Sequence, residues 1–353
     1  MHPLFPPLTR RTFLRGTGAA LASACLPAWA DDAAPLITSF FVIGDTHYRA
    51  DTAATDKLDA ISATCTSGLV AVLNRLPGTA IPEAAGGGVV APPIGVLHVG
   101  DLIDSGDKTD ATHLAMQHTE WAAYLADFGL TGAEGRLKLP VMDIAGNHDC
   151  PHGTGYAAEQ FVVRHRTRKG LTAISANGLH YSWDWAGAHF IALGLIVGND
   201  PTVTRPRRYA AMESLAFLRE DLAAHHTQDQ PLIIMHHVDV ARYTAEKEGT
   251  DYTKWEWDPA DVHAFYRELK GRKCATFHGH THKRDIQRWD GQSTKAATGL
   301  GVFNVDNSAH FGMESQAFFY VELRANGLLV REYASPDRWQ TGAWTPQVWR
   351  NGW

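Results

Sequence analysis

Leu139-Pro140-Val141-Met142-Asp143-Ile144-Ala145-Gly146-Asn147-His148-Asp149 is the stretch from which the rest of the chain is understood. Leu139 to Ala145 is an apolar run of the kind that makes a buried strand, and Gly146 ends it. An amide, an imidazole and a carboxylate then follow in a row. Turns favour Gly, Asn and Asp, but a His set between two of them needs a further reason. Four other strand ends supply it: Gly44-Asp45-Thr46-His47, Gly100-Asp101-Leu102-Ile103-Asp104, Met235-His236-His237 and Gly279-His280-Thr281-His282. One such stretch carries little weight. Five in this order place a constellation of polar side chains at the ends of strands.

Outward from that stretch, the first half of the chain alternates strand and helix. Leu36 to Ile43, Ile94 to Val99 and Leu139 to Ala145 read as buried strands. Ala53 to Leu76, Asp110 to Phe128 and Tyr156 to Arg168 read as helices, and the Gly, Ala and Pro-rich Pro77 to Pro93 as a mobile surface loop. Such alternation implies parallel strands joined by helical crossovers. Leu179 to Leu195 alternates aromatic and polar residues about Ala186-Gly187, which predicts an antiparallel hairpin. Arg207 to His226 has the spacing of an amphipathic helix. Leu232 to Met235 and Ala275 to Phe277 are short strands that deliver histidines at their ends. Beyond His282 the chain reads as strand and turn, with Ala325-Asn326-Gly327 as a hairpin signal. No repeat or linker divides it, so one α/β domain over residues 31–353 is expected, with two mixed β-sheets and helices outside them.

Composition bounds the function. Of 353 residues, 44% are hydrophobic and 20% charged, which is a globular balance rather than a disordered or membrane-spanning one. Residues 1–30 read as a leader: the twin-arginine sequence Thr9-Arg10-Arg11-Thr12-Phe13-Leu14, a short apolar stretch from Gly16 to Leu26, and Ala28-Trp29-Ala30 as a cleavage site. The expectation is a twin-arginine signal peptide, export through the twin-arginine machinery, and a periplasmic or secreted product. The apolar stretch is too short for a permanent membrane span. Losing three arginines and no acid lowers the net charge from −6 to −9, which disfavours nucleic-acid partners. Cys65, Cys150 and Cys274 remain, enough for one disulfide at most.

Asp45 and His47, and likewise His280 and His282, lie two apart, a spacing that puts both side chains on one face of an extended backbone. Each pair can chelate from one strand end. Asp101 can bridge two cations with its two oxygens, Asn147 offers an amide oxygen and His236 a further imidazole. A set of nitrogen and oxygen donors without thiolate suits two divalent or mixed-valence ions such as manganese, zinc or iron. Two ions about 3.5–4 Å apart can activate a bridging water and neutralise phosphoryl oxygens.

Together Asp45-x-His47, Gly100-Asp101, Gly146-Asn147-His148-Asp149, His236 and Gly279-His280-x-His282 resemble the five blocks of the calcineurin-like metallophosphoesterases. The resemblance covers about Phe41 to His282. It implies a four-layer α/β/β/α sandwich, with Asp45, His47, Asp101 and His282 around one metal and Asp101, Asn147, His236 and His280 around the other. It implies His148 at the leaving group as proton donor or charge stabiliser, oriented by Asp149, with metal-bound hydroxide as nucleophile. Asp104 stands where purple acid phosphatases carry a tyrosine, so that subgroup is rejected. Val238 stands where proline is frequent, which leaves the choice between His236 and His237 open, with His236 favoured.

The resemblance implies a small phosphoester substrate. The segment Asp239 to Asp258 carries Tyr243, Tyr252, Trp255 and Trp257 directly after the histidine pair. Either it overhangs the site and holds an organic group, or it is a surface loop packed by its own aromatics. The first reading favours a phosphodiester of a small organic alcohol or a phospholipid headgroup. A phosphatase acting on monoesters and a non-catalytic metal-dependent binding protein are the alternatives. Arg49 and Tyr48 follow the first ligand pair and could contact phosphate, with exposed loop residues the favoured reading; His98, His189 and His225 are expected as structural or exposed, and Cys150 and Cys274 as buried thiols. His310, with Asn304 and Asn307, lies on a late loop within possible reach of the metals. Trp339, Trp344, Trp349 and Trp353 are expected to pin the tail to the body.

Overall fold

The structure is a computed structural model that describes residues 34–353, so the expected leader and its export signal lie outside the described residues. Strands are β1 Leu36–Ile43, β2 Ala50–Asp51, β3 Ala54–Leu58, β4 Val96–His98, β5 Val141–Asp143, β6 Leu171–Ile174, β7 Tyr181–Trp185, β8 Ala188–Ala192, β9 Leu232–Met235, β10 Cys274–His278, β11 Asp285–Trp289, β12 Leu300–Asn304, β13 Gln316–Arg324, β14 Gly327–Ser335 and β15 Ala343–Gly352. Helices are α1 Ala60–Arg75, α2 Ala111–Asp127, α3 Tyr156–Thr167, α4 Ser214–His225 and α5 Pro259–Leu269. One sheet has the order β15-β14-β13-β1-β4-β5, the other β11-β12-β10-β9-β8-β7-β6. In the first, β1, β4 and β5 are parallel; in the second, β8, β9, β10 and β12 are. All five polar stretches lie at the carboxyl ends of these parallel strands, where open α/β sheets place their ligands.

Alternation along β1 shows how four layers form. Phe40 and Val42 point into a core shared with Phe190, Ile233 and Phe277 of the second sheet. Phe41 and Ile43 point the other way, onto Leu69 and Leu73 of α1 and Tyr124 of α2. A strand buried on both faces needs an unbroken apolar run, which is why it was legible. On the outer side of the second sheet, Leu218 and Leu222 of α4 and Val262 and Phe265 of α5 close a third core. Each fully buried Phe or Leu contributes roughly 1.5–3 kcal/mol. The expected α/β/β/α arrangement is therefore present.

Several boundaries differ from expectation. Helix α1 starts at Ala60, not Ala53, because Asp59 caps it by accepting from Ile61 N and Ser62 N, and residues 50–58 form the β2-β3 hairpin instead. The segment 77–93 is a packed structure rather than a mobile loop: Ile81, Ala85 and Val90 are buried and Arg331 Nε donates to Ala85 O at 2.9 Å. Helix α4 starts only at Ser214 because Met212 and Glu213 have left-handed backbone, which no α-helix carries. β6 and α5 had no counterpart in the expectation, although Asp258-Pro259 is a helix-start signal. The tail forms edge strand β15, with Trp339 Nε1 donating to Ser308 O and Trp344 and Trp349 against Tyr333 and Phe319. Cys65, Cys150 and Cys274 are all free and buried.

Candidate metal centre

Asp45 and His47 follow β1, Asp101 follows β4, Asn147 and His148 follow β5, and His280 and His282 follow β10. Asp45, His47, Asp101 and His282 bring one donor atom each to within 4.8 Å of one another; so do Asp101, His237 and His280. In the first group His47 Nε2 lies 3.3 Å from His282 Nε2 and 3.5 Å from Asp101 Oδ2, and His282 Nε2 lies 3.3 Å from Asp45 Oδ1. In the second, His237 Nε2 is 3.2 Å from Asp101 Oδ2 and from Asn147 Oδ1, and His280 Nδ1 is 2.7 Å from Asn147 Oδ1. Asp101 belongs to both groups.

The backbone that does this is not extended. Asp45, His47, Asp101, His280 and His282 all have positive φ, between 43° and 75°. The two-residue spacing therefore works through left-handed turns beyond the strand ends, not through strand alternation. For non-glycine residues such a conformation costs about 1–3 kcal/mol each and tends to collect at functional sites. Glycines let these side chains close in: a Cβ at Gly146 would collide with Asp101 Oδ1, and one at Gly279 with Asp45 Oδ2.

Outer hydrogen bonds orient the rings. His237 Nδ1–H donates to Val99 O at 2.8 Å, His47 Nδ1 meets Asp104 Oδ1 at 3.2 Å, and His280 Nε2 meets Glu256 Oε2 at 3.2 Å. In each case the nitrogen held outside leaves the other turned inward, as carboxylate and carbonyl partners do for metal-bound histidines. Asp104 thus orients His47.

The residues fit a pair of cations. Asp45, His47, Asp101 and His237 are essentially inaccessible to water. Burial opposes the charge of Asp101, yet His237, His148 and His47 hold it well below the usual carboxylate range. Burial likewise disfavours charge on His237, but Asp101 and Asp45 push it up to about 9. Buried carboxylates thus draw positive charge onto their neighbours, and the donors are nitrogen and oxygen alone, as borderline divalent ions prefer.

Two expected site residues take other places. His236 does not join the cluster. Its ring is buried between Trp257 and Phe265, stacks on His278 at 5.1 Å, and has Nδ1 3.0 Å from Val238 O. The chain turns between the two histidines, so the second of them, His237, enters the site. Asp149 does not orient His148. Its carboxylate is fully buried and accepts from Gly146 N at 2.7 Å, Ile103 N at 2.9 Å and Leu102 N at 3.0 Å, tying the Asp101 turn to the Asn147 turn. Burial and Asp101 push its carboxyl up to about 7, while those N–H donors pull it back. His148 is held instead by Asp104 O, 3.2 Å from its Nδ1, and by its own N–H to Asp101 Oδ1 at 2.8 Å. The ring stays one-third exposed, 4.7 Å from the His47 ring.

Of the remaining candidates, Tyr48 donates to Asp127, His98 bonds Thr46, and His189 lies between Asp184 and Asp221, all structural. Asn304 and Asn307 are engaged with Thr281, Asp306 and Ser315. His310 does reach the cluster, 4.4 Å from the His47 ring and 4.8 Å from that of His282. Glu256 was missed in the sequence, since no spacing marks it. It comes from the aromatic segment, whose Tyr243, Trp255 and Tyr252 pack on one another. Arg242 and Tyr243 donate to Glu256 at 2.8 and 2.5 Å.

The sequence model described as calcineurin-like phosphoesterase matches residues 38–284. Among solved structures, a dimetal phosphatase from Danio rerio is 12% identical with a TM-score of 0.44, covering 90% of this chain and 99% of its own. A structure of PhoD is 9% identical with a TM-score of 0.49, covering 92% and 73%. Phosphopantetheinyl hydrolase from Mycobacterium tuberculosis is 13% identical with a TM-score of 0.39, covering 79% and 92%. No curated protein matches the chain.

Proposed function

This chain belongs to the calcineurin-like phosphoesterase family and is a metal-dependent phosphoester hydrolase; we propose that it is exported and cleaves phosphodiesters of small organic alcohols, phospholipid headgroups among them. Asp45, His47, Asp101 and His282 would hold one ion, and Asp101, Asn147, His237 and His280 the other. Two such ions supply an activated water and neutralise the phosphoryl oxygens.

The chain's own groups do the rest. His148 keeps its Nδ1–H on Asp104 O, which turns Nε2 free. In the protonated ring, Nε2–H hands its proton to the alcohol oxygen as the P–O bond breaks. Burial opposes that charge, but Asp101 and Asp104 raise the His148 pKa above its ordinary value, which favours the proton-bearing form.

The observation that carries the diester reading is Glu256 against His280, because it puts the aromatic segment over one side of the site. Tyr209 stands there too, its ring 6.4 Å from that of His280. Tyr209, Tyr243 and Trp257 are buried beneath this edge, so the aromatic surface left to a second ester group is that of the half-buried Tyr252 and Trp255, which a free phosphate has no use for. Export rests on the twin-arginine leader alone. Among the described residues no helix is long and apolar enough to cross a membrane.

The test is hydrolysis of bis-p-nitrophenyl phosphate against p-nitrophenyl phosphate. Protein beginning at Asp31 would be stripped of metal and reloaded separately with manganese, zinc or iron, with Asp101→Ala as control. Faster diester turnover that Asp101→Ala abolishes is expected. Faster monoester turnover would replace the diester reading by a phosphatase. No turnover in protein shown to hold two ions would overturn hydrolysis of simple phosphoesters and leave metal-dependent binding.

A further inference from the structure

On the side of the site away from Glu256, a column of side chains has no place in the ligand set or in the proton path. The His310 ring rests 4.4 Å from His47 and 4.8 Å from His282. Phe311 stacks on His310 at 4.7 Å with an interplanar angle of 17°, and the Arg49 guanidinium lies 4.5 Å from the centre of the Phe311 ring. Arg49 itself is only two residues beyond His47.

The hydrogen bonding of this column assigns it a job. Gly312 N–H donates to His310 Nδ1 at 2.9 Å. A backbone N–H can only donate, so Nδ1 carries no proton and the ring's proton is on Nε2. Nε2–H has no partner among the described residues, and a protonated nitrogen cannot ligate a metal. His310 therefore borders the cluster as a hydrogen-bond donor, although its position groups it with His47 and His282. Arg49 is half-buried, and among the described residues its guanidinium meets no carboxylate and no hydrogen-bond acceptor. Its backbone N–H is used by Ser62 Oγ at 3.0 Å, which fixes where the side chain starts, and Phe311 holds the planar head. In a chain of net charge −6, an arginine kept beside a catalytic cleft without an acid is available to an anion.

We infer that Arg49 and His310 form a second anion-binding subsite beside the metal pair, so that the preferred substrate carries a further negatively charged group besides the reacting phosphate. This rests on the phosphoester reading above and refines its substrate class. His310 Nε2–H is the donor nearest the metals and Arg49 the charge farther out, with Phe311 as the platform between them. A phosphate or a carboxylate on the organic part of the substrate meets the same chemistry, since a guanidinium pairs with either.

Binding tests this without requiring turnover. Calorimetry on metal-loaded protein compares phenylphosphonate with 4-carboxyphenylphosphonate and 4-phosphonophenylphosphonate, whose P–C bonds a phosphoester hydrolase does not cleave. The doubly functional probes are expected to bind about tenfold more tightly, the value of one good charge-assisted contact. A gain with both means that charge alone is read. A gain with the second phosphonate or the carboxylate alone assigns the group. Arg49→Met should erase the difference, and Arg49→Lys should keep part of it. His310→Gln, which retains an N–H near the Nε2 position, should keep more of it than His310→Phe. Equal affinity for all three probes in the wild type, or a preference that survives Arg49→Met, overturns the subsite. The hydrolysis reading fails separately: a preference in binding with no turnover of any p-nitrophenyl ester leaves the subsite standing and removes the phosphoesterase.

Discussion

The metal-site crater and the apolar pocket behind it are built from adjacent residues of the same two strand ends. His237 and His280 face Asp101 and Asn147, with their outer nitrogens held by Val99 O and Glu256. His236 and His278, one and two residues away, stack on each other among Trp257 and Phe265; neither Nε2 has a hydrogen-bond partner among the described residues, and the nearest carboxylate, Asp239, stands 4.0 Å from His278 Nε2. Burial holds both of those rings below the ordinary imidazole range, so they stay neutral. Four histidines of the same chemistry thus divide by direction alone. An imidazole can be a ligand where its free nitrogen faces several other donors at once, as those of His237 and His280 do; among rings it is a slightly polar aromatic.

The comparison breaks most clearly by substitution of the neighbouring pair. His237→Ala should abolish binding of one ion and reduce turnover to background, whereas His236→Leu should keep both ions and near wild-type turnover. Metal content by atomic absorption alongside diester hydrolysis decides it, and loss of an ion in His236→Leu would restore the first histidine as ligand. Next in size, His148→Ala should lower kcat by roughly 10²–10⁴ while leaving the metal content unchanged, the range for a removed general acid. If the ions leave as well, His148 is part of the cage.

Asp149 sharpens the contrast between groups that react and groups that hold. Asp149→Ala strands three buried N–H donors and should cost about 3 kcal/mol of stability, seen in denaturant unfolding. A variant as stable as wild type but slow in turnover would return Asp149 to the proton path. Glu256→Gln should weaken binding of one ion by about 10–100-fold, as loss of an outer carboxylate on a ligating histidine does. Competition with a chelator measures it, and unchanged affinity would reduce Glu256 to a loop anchor.

The smallest effect belongs to a third setting for histidine. Burial opposes charge on His189, but Asp221 and Asp184 raise its pKa above the ordinary value near 6.5. A raised folded pKa means that the charged ring stabilises fully below about pH 6.5, and that this part is lost as pH rises through the higher folded value. Thermal unfolding of the wild type should therefore lose stability over that window, and Asp221→Asn should flatten the loss. An Asp221→Asn profile parallel to wild type would deny the ion pair that role.

Much of this was legible in the chain and some was not. Strands such as β1 were, because both of their faces are buried, and a short apolar run is what that burial requires. The start of α1 was not, since Asp59 lies inside a stretch whose apolar spacing continues through it and only the cap bonds show where the helix begins. Residues 77–93 looked loose by composition, but a turn rich in Gly and Pro packs as well as any when Arg331 and three apolar side chains hold it. In the site, Asp45, His47, Asp101, Asn147, His280 and His282 were marked by their places at strand ends. Glu256 was hidden among aromatics because its partner is 24 residues away.

The sequence by itself determined the kind of chemistry. Five strand ends finishing in Asp, Asn and His, with no thiol among them, admit nitrogen and oxygen ligation and little else, because residue type sets donor type. Only the tertiary structure decided which side chain does which task. Whether His236 or His237 enters the crater, whether Asp149 meets an imidazole or three amides, and whether Arg49 finds an acid or an aromatic ring all depend on direction. Direction here is set by left-handed turns after the strands and by how two sheets face each other. Neither is written in the identity of any single residue.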